Sequence, residues 1–286
     1  MPTLYVVATP IGNLEDITLR ALRVLREVRL IAAEDTRKAR SLLAHHEIAT
    51  PVTSCFDANE RQKLEAILAV LTEGDVALIS EAGTPGISDP GYPLIRAAIE
   101  RGVVVVPVPG PSAHVAALVS SGLPTDRFLF LGFLPRKASE RAALLQDVAA
   151  AEMTLVCYEA PHRLAATLSA LCETLGDRPV ALCRELTKLH EEIWRGTLAE
   201  AIELLESQEP RGEYTLVIGG RPKDAEKWSE DDVRAALQRH LDEGLSRSQA
   251  ARQVAAISGW ARREVYELGE RNTAPSRNAA QSSATS

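Results

Sequence analysis

The sequence is poor in cysteine and in aromatic residues, which make up 4% of the chain. Four cysteines, Cys55, Cys157, Cys172 and Cys183, are scattered over 286 residues without a C-x-x-C pair. None of the six histidines has the H-E-x-x-H spacing of a metal site. A zinc site or a disulfide framework is therefore not expected, and no metal ligand is predicted. The thiols indicate a reducing, cytoplasmic location.

Long apolar runs, a basic leader and an excess of positive charge are also missing. No apolar stretch approaches the ~20 residues of a membrane span, so no membrane partner is expected. Residues 1–8 lack the basic region of a signal peptide. The net charge of −7 argues against a general polyanion binder, so a nucleic-acid partner would need a local basic face. Neither a Walker A loop nor G-x-G-x-x-G occurs, so ATP and NAD are not indicated.

The chain does contain three loops rich in glycine and proline, each directly after a short apolar run. The longest, residues 80–91 (SEAGTPGISDPG), lies between a strand-like run at 75–79 and helical spacing at 92–100. It exceeds the ~2–6 residues of an ordinary connection, and its glycines allow the backbone to approach a ligand. The other two loops are residues 9–13 and 109–113. At the strand ends of one sheet, the three loops predict a shared ligand pocket, with plain connecting turns as the alternative.

Strand and helix patterns alternate along most of the chain, which predicts an α/β fold of two domains. Residues 1–121 predict an open, mostly parallel sheet with helices on both faces, in which the run 103–107 is typical of a doubly buried strand. Residues 122–222 contain more strands than helices, so their sheet is predicted to be mixed. Residues 229–271 predict a small helical appendage of the helix-turn-helix type, and residues 272–286 a disordered tail.

Eight sequence blocks resemble one bacterial family and follow its order over about residues 4–268. They are TPIGNLEDIT (9–18), AEDTR (33–37), SEAGTPGISDPG (80–91), PGPSA (109–113), GFLPR (132–136), YEAPHR (158–163), RELTK (184–188) and GEYT (212–215). On these blocks the chain resembles the 16S rRNA 2′-O-ribose cytidine methyltransferases, known as small-subunit methyltransferase I. The fold of that family is the tetrapyrrole methylase fold.

The resemblance implies an S-adenosyl-L-methionine cleft between two α/β domains, methylation of a cytidine ribose at the decoding centre of the small ribosomal subunit, and a homodimer. It also implies the cofactor-binding residues, which are Pro10, Ile11, Gly12, Asn13, Gly83, Thr84, Pro85, Gly86, Ile87, Ser112, Ala113, Tyr158, Glu213, Tyr214 and Thr215. Tetrapyrrole methylases often carry Gly-Asp-Pro where this chain has Gly83-Thr84-Pro85. The threonine puts a tetrapyrrole substrate in doubt.

A ribose hydroxyl is a weak nucleophile, so a nearby proton acceptor assists its methylation. The candidates are carboxylates in loops or at predicted strand ends, namely Glu34, Asp35, Glu81, Asp89 and Glu159. Glu81 and Asp89, at either side of the long loop, are the first choices as catalytic residues. For each of them the alternative is a helix N-terminal carboxylate or a turn former, as with Asp89 before Pro90.

Basic residues after the predicted strands are candidates for contacts with RNA phosphates. They are Arg37, Arg136, Lys137, His162, Arg163, Arg184 and Lys188, and a solvated charged surface is the alternative for each. The partner implied is 16S rRNA in the small subunit. The helical appendage is also expected to touch it, with plain packing against the rest of the chain as the alternative. Two other functions stay open, a tetrapyrrole methyltransferase of the same fold and a non-catalytic ribosome-assembly factor. A vestigial pocket would have lost the small residues Gly83, Gly86 and Ser112, which this chain retains.

Overall fold

The computed structural model describes residues 2–55, 60–222 and 228–271. Within these ranges the chain forms two five-stranded sheets, their flanking helices and a C-terminal group of helices. The strands are β1 (Thr3–Val7), β2 (Leu30–Ala33), β3 (Val52–Ser54), β4 (Val76–Ile79), β5 (Val104–Val108), β6 (Phe128–Phe133), β7 (Thr154–Glu159), β8 (Pro179–Arg184), β9 (Glu192–Thr197) and β10 (Tyr214–Ile218). The helices are α1 (Leu19–Glu27), α2 (Thr36–His45), α3 (Glu60–Val70), α4 (Tyr92–Glu100), α5 (Ala113–Ser121), α6 (Ala138–Val148), α7 (Leu164–Leu175), α8 (Leu198–Ser207), α9 (Glu230–Asp242), α10 (Arg247–Ser258) and α11 (Arg262–Arg271).

The first sheet has the strand order β3-β2-β4-β1-β5, and all of its pairings are parallel. Helices α1 and α2 cover one face, and α3 and α4 cover the other. Along β4, Ala77 and Ile79 face the first pair of helices, while Val76 and Leu78 face the second pair. Central strands must therefore be apolar at every position. For this reason they are continuous hydrophobic runs in the sequence. The predicted open parallel sheet is confirmed.

Strand β5 differs from the prediction made for it, because it lies at the edge of the first sheet beside β1. Val104 at its start is 43% exposed. The prediction that this run is buried on both faces is therefore wrong. Its β-branched residues indicate a preference for extended backbone. Edge strands and central strands share this preference.

The second sheet has the order β6-β7-β10-β8-β9 and is mixed, as predicted. Strands β6 and β7 pair in parallel, and the other neighbours pair antiparallel. Helices α6, α7 and α8 cover one face of this sheet and form its main apolar core. Helix α5, which follows the last strand of the first sheet, packs on the opposite face.

Helix α5 connects the two sheets. Its buried residues Ala117 and Leu118 enter an apolar cluster with side chains from β7, β8 and β10. At its C-terminus, the Arg195 guanidinium donates hydrogen bonds to the carbonyls of Ser121 at 3.1 Å and Ser120 at 2.5 Å. A cation is favourable there because the last carbonyls of a helix are unpaired and carry partial negative charge. By its packing α5 belongs to the second sheet, and the domain boundary between residues 121 and 122 stays a prediction.

A β-bulge interrupts the pairing of β6 with β7. Phe130 lies opposite Val156, but Phe133 lies opposite Tyr158, so two residues of β6 face one residue of β7. Gly132 adopts a φ of +62°, a left-handed conformation that glycine reaches without steric cost. The bulge brings Phe133 to the same face of the sheet as Phe130 and Tyr158.

Helices α9, α10 and α11 form the predicted C-terminal appendage with an apolar core of its own. Ser229 and Ser246 cap α9 and α10 by accepting hydrogen bonds from backbone amides. Helix α10 packs against α7, and Arg252 pairs with Asp147 of α6 at 2.6 Å. The tail predicted at residues 272–286 lies outside the described residues. Among the helices that the structure describes, none is long and apolar enough to cross a membrane.

Candidate functional site

A cavity of about 390 Å³ opens between the strand ends of the two sheets. Its volume falls in the range of about 300–1,000 Å³ that is usual for small-molecule sites. The first sheet contributes the segments that follow β1, β2, β4 and β5. The second sheet contributes the last residue of β6, the ends of β7 and β8 with the segments that follow them, and the residues at the start of β10. The pocket predicted from three loops is thus shared by both sheets.

The cavity lies where the first sheet reverses its direction of winding. From β1 the chain leads by α1 on one face of the sheet to β2, and from the neighbouring β4 it leads by α4 on the other face to β5, so the two connections run in opposite directions. Thr9 and Gly83 join these loops through two backbone hydrogen bonds of 2.8 and 3.0 Å. A Cβ on Gly83 would lie 3.4 Å from Ile11 Cγ2 and 3.8 Å from the Pro111 carbonyl oxygen. These are ordinary contact distances, so it is the φ of +77° that favours glycine at this wall, where three loops meet.

Ten of the fifteen predicted cofactor residues line the cavity. They are Ile11, Gly83, Thr84, Ile87, Ser112, Ala113, Tyr158, Glu213, Tyr214 and Thr215. The other five are not part of this lining and are Pro10, Gly12, Asn13, Pro85 and Gly86. The predicted loops therefore meet at one place, although some of their residues do not reach it.

The five predicted residues outside the lining shape the loops. A Cβ on Gly12 would overlap the side chain of Lys188, so this glycine permits the close approach of two loops. The Asn13 side chain caps a single 3-10 turn at Leu14–Asp16. Gly86 has a φ of +81°, and a side chain there would strain the backbone without filling the cavity. These residues shape the loops of the wall, and their assignment to the cofactor stays a prediction.

Asp89 is a half-buried carboxylate that lines the cavity. Burial, together with the nearby negative charge of Glu34, raises the pKa of Asp89 to about 6, although a hydrogen bond with the Ser80 hydroxyl opposes the shift. A group with this pKa is mostly ionised at neutral pH and still binds a proton readily. Asp89 therefore has the properties of a general base.

The other carboxylates of this region are engaged in different ways. Glu81 lines the cavity, but it is exposed and its carboxylate pairs with Lys38. The Glu81 amide donates to the Glu34 carboxylate at 3.0 Å. Asp35 caps α2 by accepting a hydrogen bond from the Arg37 amide at 2.7 Å. Of the two first choices, the cavity environment favours Asp89.

Glu159 lies in the cavity wall as a fully buried carboxylate with several partners. It accepts hydrogen bonds from the Thr167 hydroxyl at 2.5 Å and from the Ala160 amide at 2.9 Å, and it pairs with Arg163 at 3.3 Å. The Arg163 guanidinium also donates to the Leu134 carbonyl at 2.7 Å. Arg163 was predicted to hold RNA, but its guanidinium is turned inward and clamps the segment after β6 to the segment after β7.

This clamp brings three of the predicted RNA-binding residues together. Arg136, Lys137 and His162 are exposed and lie on the two segments that Arg163 joins. Arg37 is also exposed, with 88% of its side chain accessible, at the start of α2 beside the cavity's acidic edge. These side chains are accessible to a large anionic partner.

Several of the predicted RNA-binding residues are held in ion pairs, including Lys137 with Glu140 at 2.9 Å and Arg37 with Asp35 at 3.2 Å. Lys188 lines the cavity and pairs with Glu185 and Glu213, at 2.9 Å each. Burial alone would lower the pKa of Lys188, but the hydrogen bonds to both carboxylates raise it. Arg184 pairs with Glu192 at 3.0 Å on the outer part of the second sheet. Lys188 is therefore a charged part of the cavity wall.

Sequence reasoning missed His114 and Phe133, which both line the cavity. His114 Nδ1 lies 3.1 Å from the Ser112 hydroxyl and 3.2 Å from the Tyr158 hydroxyl. Its ring stacks on Phe130 with the centroids 4.5 Å apart. Burial lowers the pKa of His114 and raises that of Tyr158, so both rings are neutral at pH 7. His114 directly follows the predicted cofactor loop at residues 109–113. This position is the sequence feature from which it could have been predicted as a site residue.

Strained backbone flanks the cavity on two sides. Of the four non-glycine residues with positive φ in the described part of the chain, Ser88, Glu185 and Thr187 lie in loops that border it. Such conformations cost about 1–3 kcal/mol each and persist where the surrounding structure imposes them. Their concentration here indicates that the loops are held in a specific shape.

Comparison with known proteins supports the same assignment of the fold. Residues 3–202 match the family described as Tetrapyrrole (Corrin/Porphyrin) Methylases, and residues 229–271 match the RsmI C-terminal HTH domain. A ribosomal RNA small subunit methyltransferase I of Synechocystis sp. is 50% identical over 271 residues, which are 94% of this chain and 97% of that protein. The protein of the same name from Halalkalibacterium halodurans is 43% identical and covers 93% of this chain and 94% of its own length.

Solved structures show the same fold at low sequence identity. A cobalt precorrin-4 methyltransferase has a TM-score of 0.58 at 18% identity, over 76% of this chain and 94% of its own. A uroporphyrin-III C-methyltransferase from Thermus thermophilus, complexed with S-adenosyl homocysteine, has a TM-score of 0.54 at 20% identity, over 77% and 97%. The predicted tetrapyrrole methylase fold is confirmed. Since the matched relatives extend over both sheets and the appendage, the chain belongs to the ribosomal RNA small subunit methyltransferase I family and is a methyltransferase.

Proposed function

We propose that the protein transfers a methyl group from S-adenosyl-L-methionine to the ribose 2′-hydroxyl of a cytidine in 16S rRNA, at the decoding centre of the small subunit, in the cytoplasm. The observation that carries this proposal is the half-buried Asp89, with a pKa of about 6, inside a cavity lined by glycine-rich loops. The names of the relatives support small-subunit rRNA as the substrate. That the acceptor is a cytidine at the decoding centre is expected from the resemblance to the family.

The chemistry of the cavity fits the proposed cofactor. When bound, S-adenosyl-L-methionine supplies a methyl group on a sulfonium sulfur, which is already activated toward displacement. Gly83 leaves room at the wall that a Cβ would fill, and Ser112 and Thr215 add polar atoms from the two sheets. The carboxylates of Glu34 and Asp89 favour a cationic ligand, because opposite charges attract more strongly away from bulk water.

Asp89 has a defined part in the proposed reaction. Its carboxylate would accept the proton of the 2′-hydroxyl while the oxygen–carbon bond forms and the sulfur–carbon bond breaks, leaving the electron pair on sulfur. A positioned base contributes typically about 10²–10⁴-fold in rate. Orientation of the two reactants by the loops contributes up to roughly 7–11 kcal/mol in favourable cases. The loops would thus supply positioning, and Asp89 would supply proton transfer.

RNA binding is proposed for the exposed basic residues beside the cavity. Arg136, Lys137 and His162 lie on neighbouring segments and would contact phosphates, and Arg37 would contact them on the other side. The helical appendage at residues 229–271 is proposed to add a further contact with rRNA. Because phosphate contacts release counterions, binding should weaken steeply as salt is raised.

The proposed activity predicts methylation of small subunits by the purified protein. Subunits from a strain without its own enzyme of this family should gain one 2′-O-methyl group, mapped by mass spectrometry of RNase fragments. Free 16S rRNA and a porphyrinoid serve as parallel substrates. Methylation of the porphyrinoid with no change in the RNA would overturn the proposal in favour of a tetrapyrrole substrate.

Gly83→Val should weaken cofactor binding by tenfold or more, about 1.4 kcal/mol, because the side chain enters the wall where three loops converge. Gly102→Val is the matched control. Gly102 has a similar φ of +70°, but no heavy atom lies within 4 Å of a Cβ there, so the strain is the same without an effect on the cavity. Calorimetry with S-adenosyl-L-methionine measures both variants. Equal affinities in the two variants would show that the cofactor does not use this wall.

The rate of methyl transfer should fall below pH 6, because Asp89 takes up a proton there. Its base form predominates above the raised pKa and is lost as the pH falls, so at pH 5 we expect about a tenth of the plateau rate. Asp89→Asn should lower the rate by about 10²–10⁴-fold and remove this pH dependence. Single-turnover rates across the pH range give the profile. An unchanged profile in Asp89→Asn, with its loss in Glu81→Gln, would assign the base to Glu81.

A homodimer is proposed as the working form. Helix α5 exposes Val115 and Val119, one helical turn apart, with Val119 69% exposed. Apolar side chains at this spacing form a stripe suited to contact with a second chain. Light scattering at micromolar concentration should give the mass of two 31.0 kDa chains, and Val119→Glu should reduce it. The mass of a single chain for the unmodified protein would refute the dimer.

A further inference from the structure

Phe133 is a large apolar side chain in the wall of the cavity that is 56% exposed. Most of its ring surface is in contact with solvent, although burying a phenylalanine is worth roughly 1.5–3 kcal/mol. The neighbouring Phe130, on the same strand and the same face, is packed into the cluster beneath α5. Packing in the apolar core therefore does not explain why the Phe133 ring is exposed.

The bulge at Gly132 is what brings Phe133 into the cavity. Along β6, Leu129 and Leu131 point toward the core under α6, α7 and α8. Without the extra residue, Phe133 would continue this alternation and point into the same core. With the bulge, it lies opposite Tyr158 and faces the cavity. Bulges that redirect a side chain are common beside active sites.

The ring of Phe133 rests on an aromatic group that is already held in place. Its centroid lies 5.4 Å from that of Tyr158, at an interplanar angle of 59°. The Tyr158 hydroxyl is hydrogen-bonded to His114, and its ring packs edge-on against Phe130 at 5.1 Å. Phe133 and Tyr158 thus form a preorganised aromatic surface with one accessible side.

The position of this surface points to the acceptor nucleotide. A Cβ on Gly132 would lie 3.1 Å from the Ser88 hydroxyl, so the surface adjoins the loop that carries Asp89. Three residues further along the chain are the exposed Arg136 and Lys137. An unpaired nucleotide offers a base that stacks on aromatic rings and a phosphate that pairs with basic residues. The aromatic surface is therefore near a loop suited to the ribose and near basic residues suited to the phosphate.

We propose that Phe133 and Tyr158 form a stacking platform for the base of the nucleotide that is methylated. This assigns Tyr158 to the acceptor, although the resemblance placed it among the cofactor-binding residues. This inference rests on the proposed function, and it identifies how an RNA nucleotide is held in the cavity. The base is unstacked from its neighbours and lies on the exposed face of Phe133, while its ribose reaches Asp89. The glycine wall on the opposite side is left for the methyl donor.

The test compares Phe133→Ala and Phe133→Tyr with the wild-type protein, and Phe128→Ala is the matched control. Phe128 lies at the other end of β6 and does not line the cavity. For Phe133→Ala, kcat/KM with small subunits should fall by about tenfold or more, the usual effect of removing one stacking partner. The affinity for S-adenosyl-L-methionine should stay within about twofold, since the ring is assigned to the acceptor. Phe133→Tyr, which keeps the ring, should restore activity, and Phe128→Ala should retain it.

A second measurement does not depend on methyl transfer. Fluorescence anisotropy with a labelled single-stranded RNA oligonucleotide should show weaker binding for Phe133→Ala than for Phe133→Tyr. If the wild-type protein methylates no subunits while this difference persists, the proposed function fails, and Phe133 is a stacking residue for RNA that the protein does not methylate. Unchanged kcat/KM and unchanged RNA binding in Phe133→Ala would overturn the platform. Loss of cofactor affinity in that variant would also overturn it, by assigning the ring to the methyl donor.

Discussion

The packing of α5 on the second sheet is the contact on which the site depends. Ala117 and Leu118 are buried there against small residues such as Ala181 and Cys183, which let the helix approach the strands closely. Arg195 adds two hydrogen bonds to the last carbonyls of the helix. Since α5 directly follows the loop after β5, this packing sets the strand ends of the first sheet opposite those of the second. The cavity is a product of that arrangement and belongs to neither sheet alone.

Charge is divided between the interior and the edge of the cavity. Glu34 and Asp89 lie within it, where partial burial keeps their mutual repulsion strong and raises the proton affinity of Asp89. Arg136, Lys137 and His162 lie outside, exposed to solvent. A cation is therefore favoured inside and a polyanion at the edge, although the chain as a whole carries a charge of −7. Net charge describes the solubility of the protein, and this local division describes what it can bind.

The loops of the site could be predicted from the sequence because their signals are local. Glycines and prolines after short apolar runs mark strand ends, and parallel strands bring those ends to one edge. The mixed second sheet and the helical appendage followed from element counts and caps. The edge position of β5 could not be predicted, because its valines suit an edge strand and a central strand alike. His114 and Phe133 were missed because their positions depend on pairing between distant segments.

Three glycines with positive φ show where sequence reasoning reaches its limit. Gly83 forms the wall at which three loops converge, Gly86 turns the backbone behind that wall, and Gly132 creates the bulge in β6. In the sequence each one indicates only that the backbone is free to turn. Which side chain the turn places in the cavity depends on the register with the neighbouring strand. A shift of one residue moves every later side chain to the opposite face of the sheet. The register of β6 against β7 is therefore what makes Phe133 part of the cavity instead of part of the core.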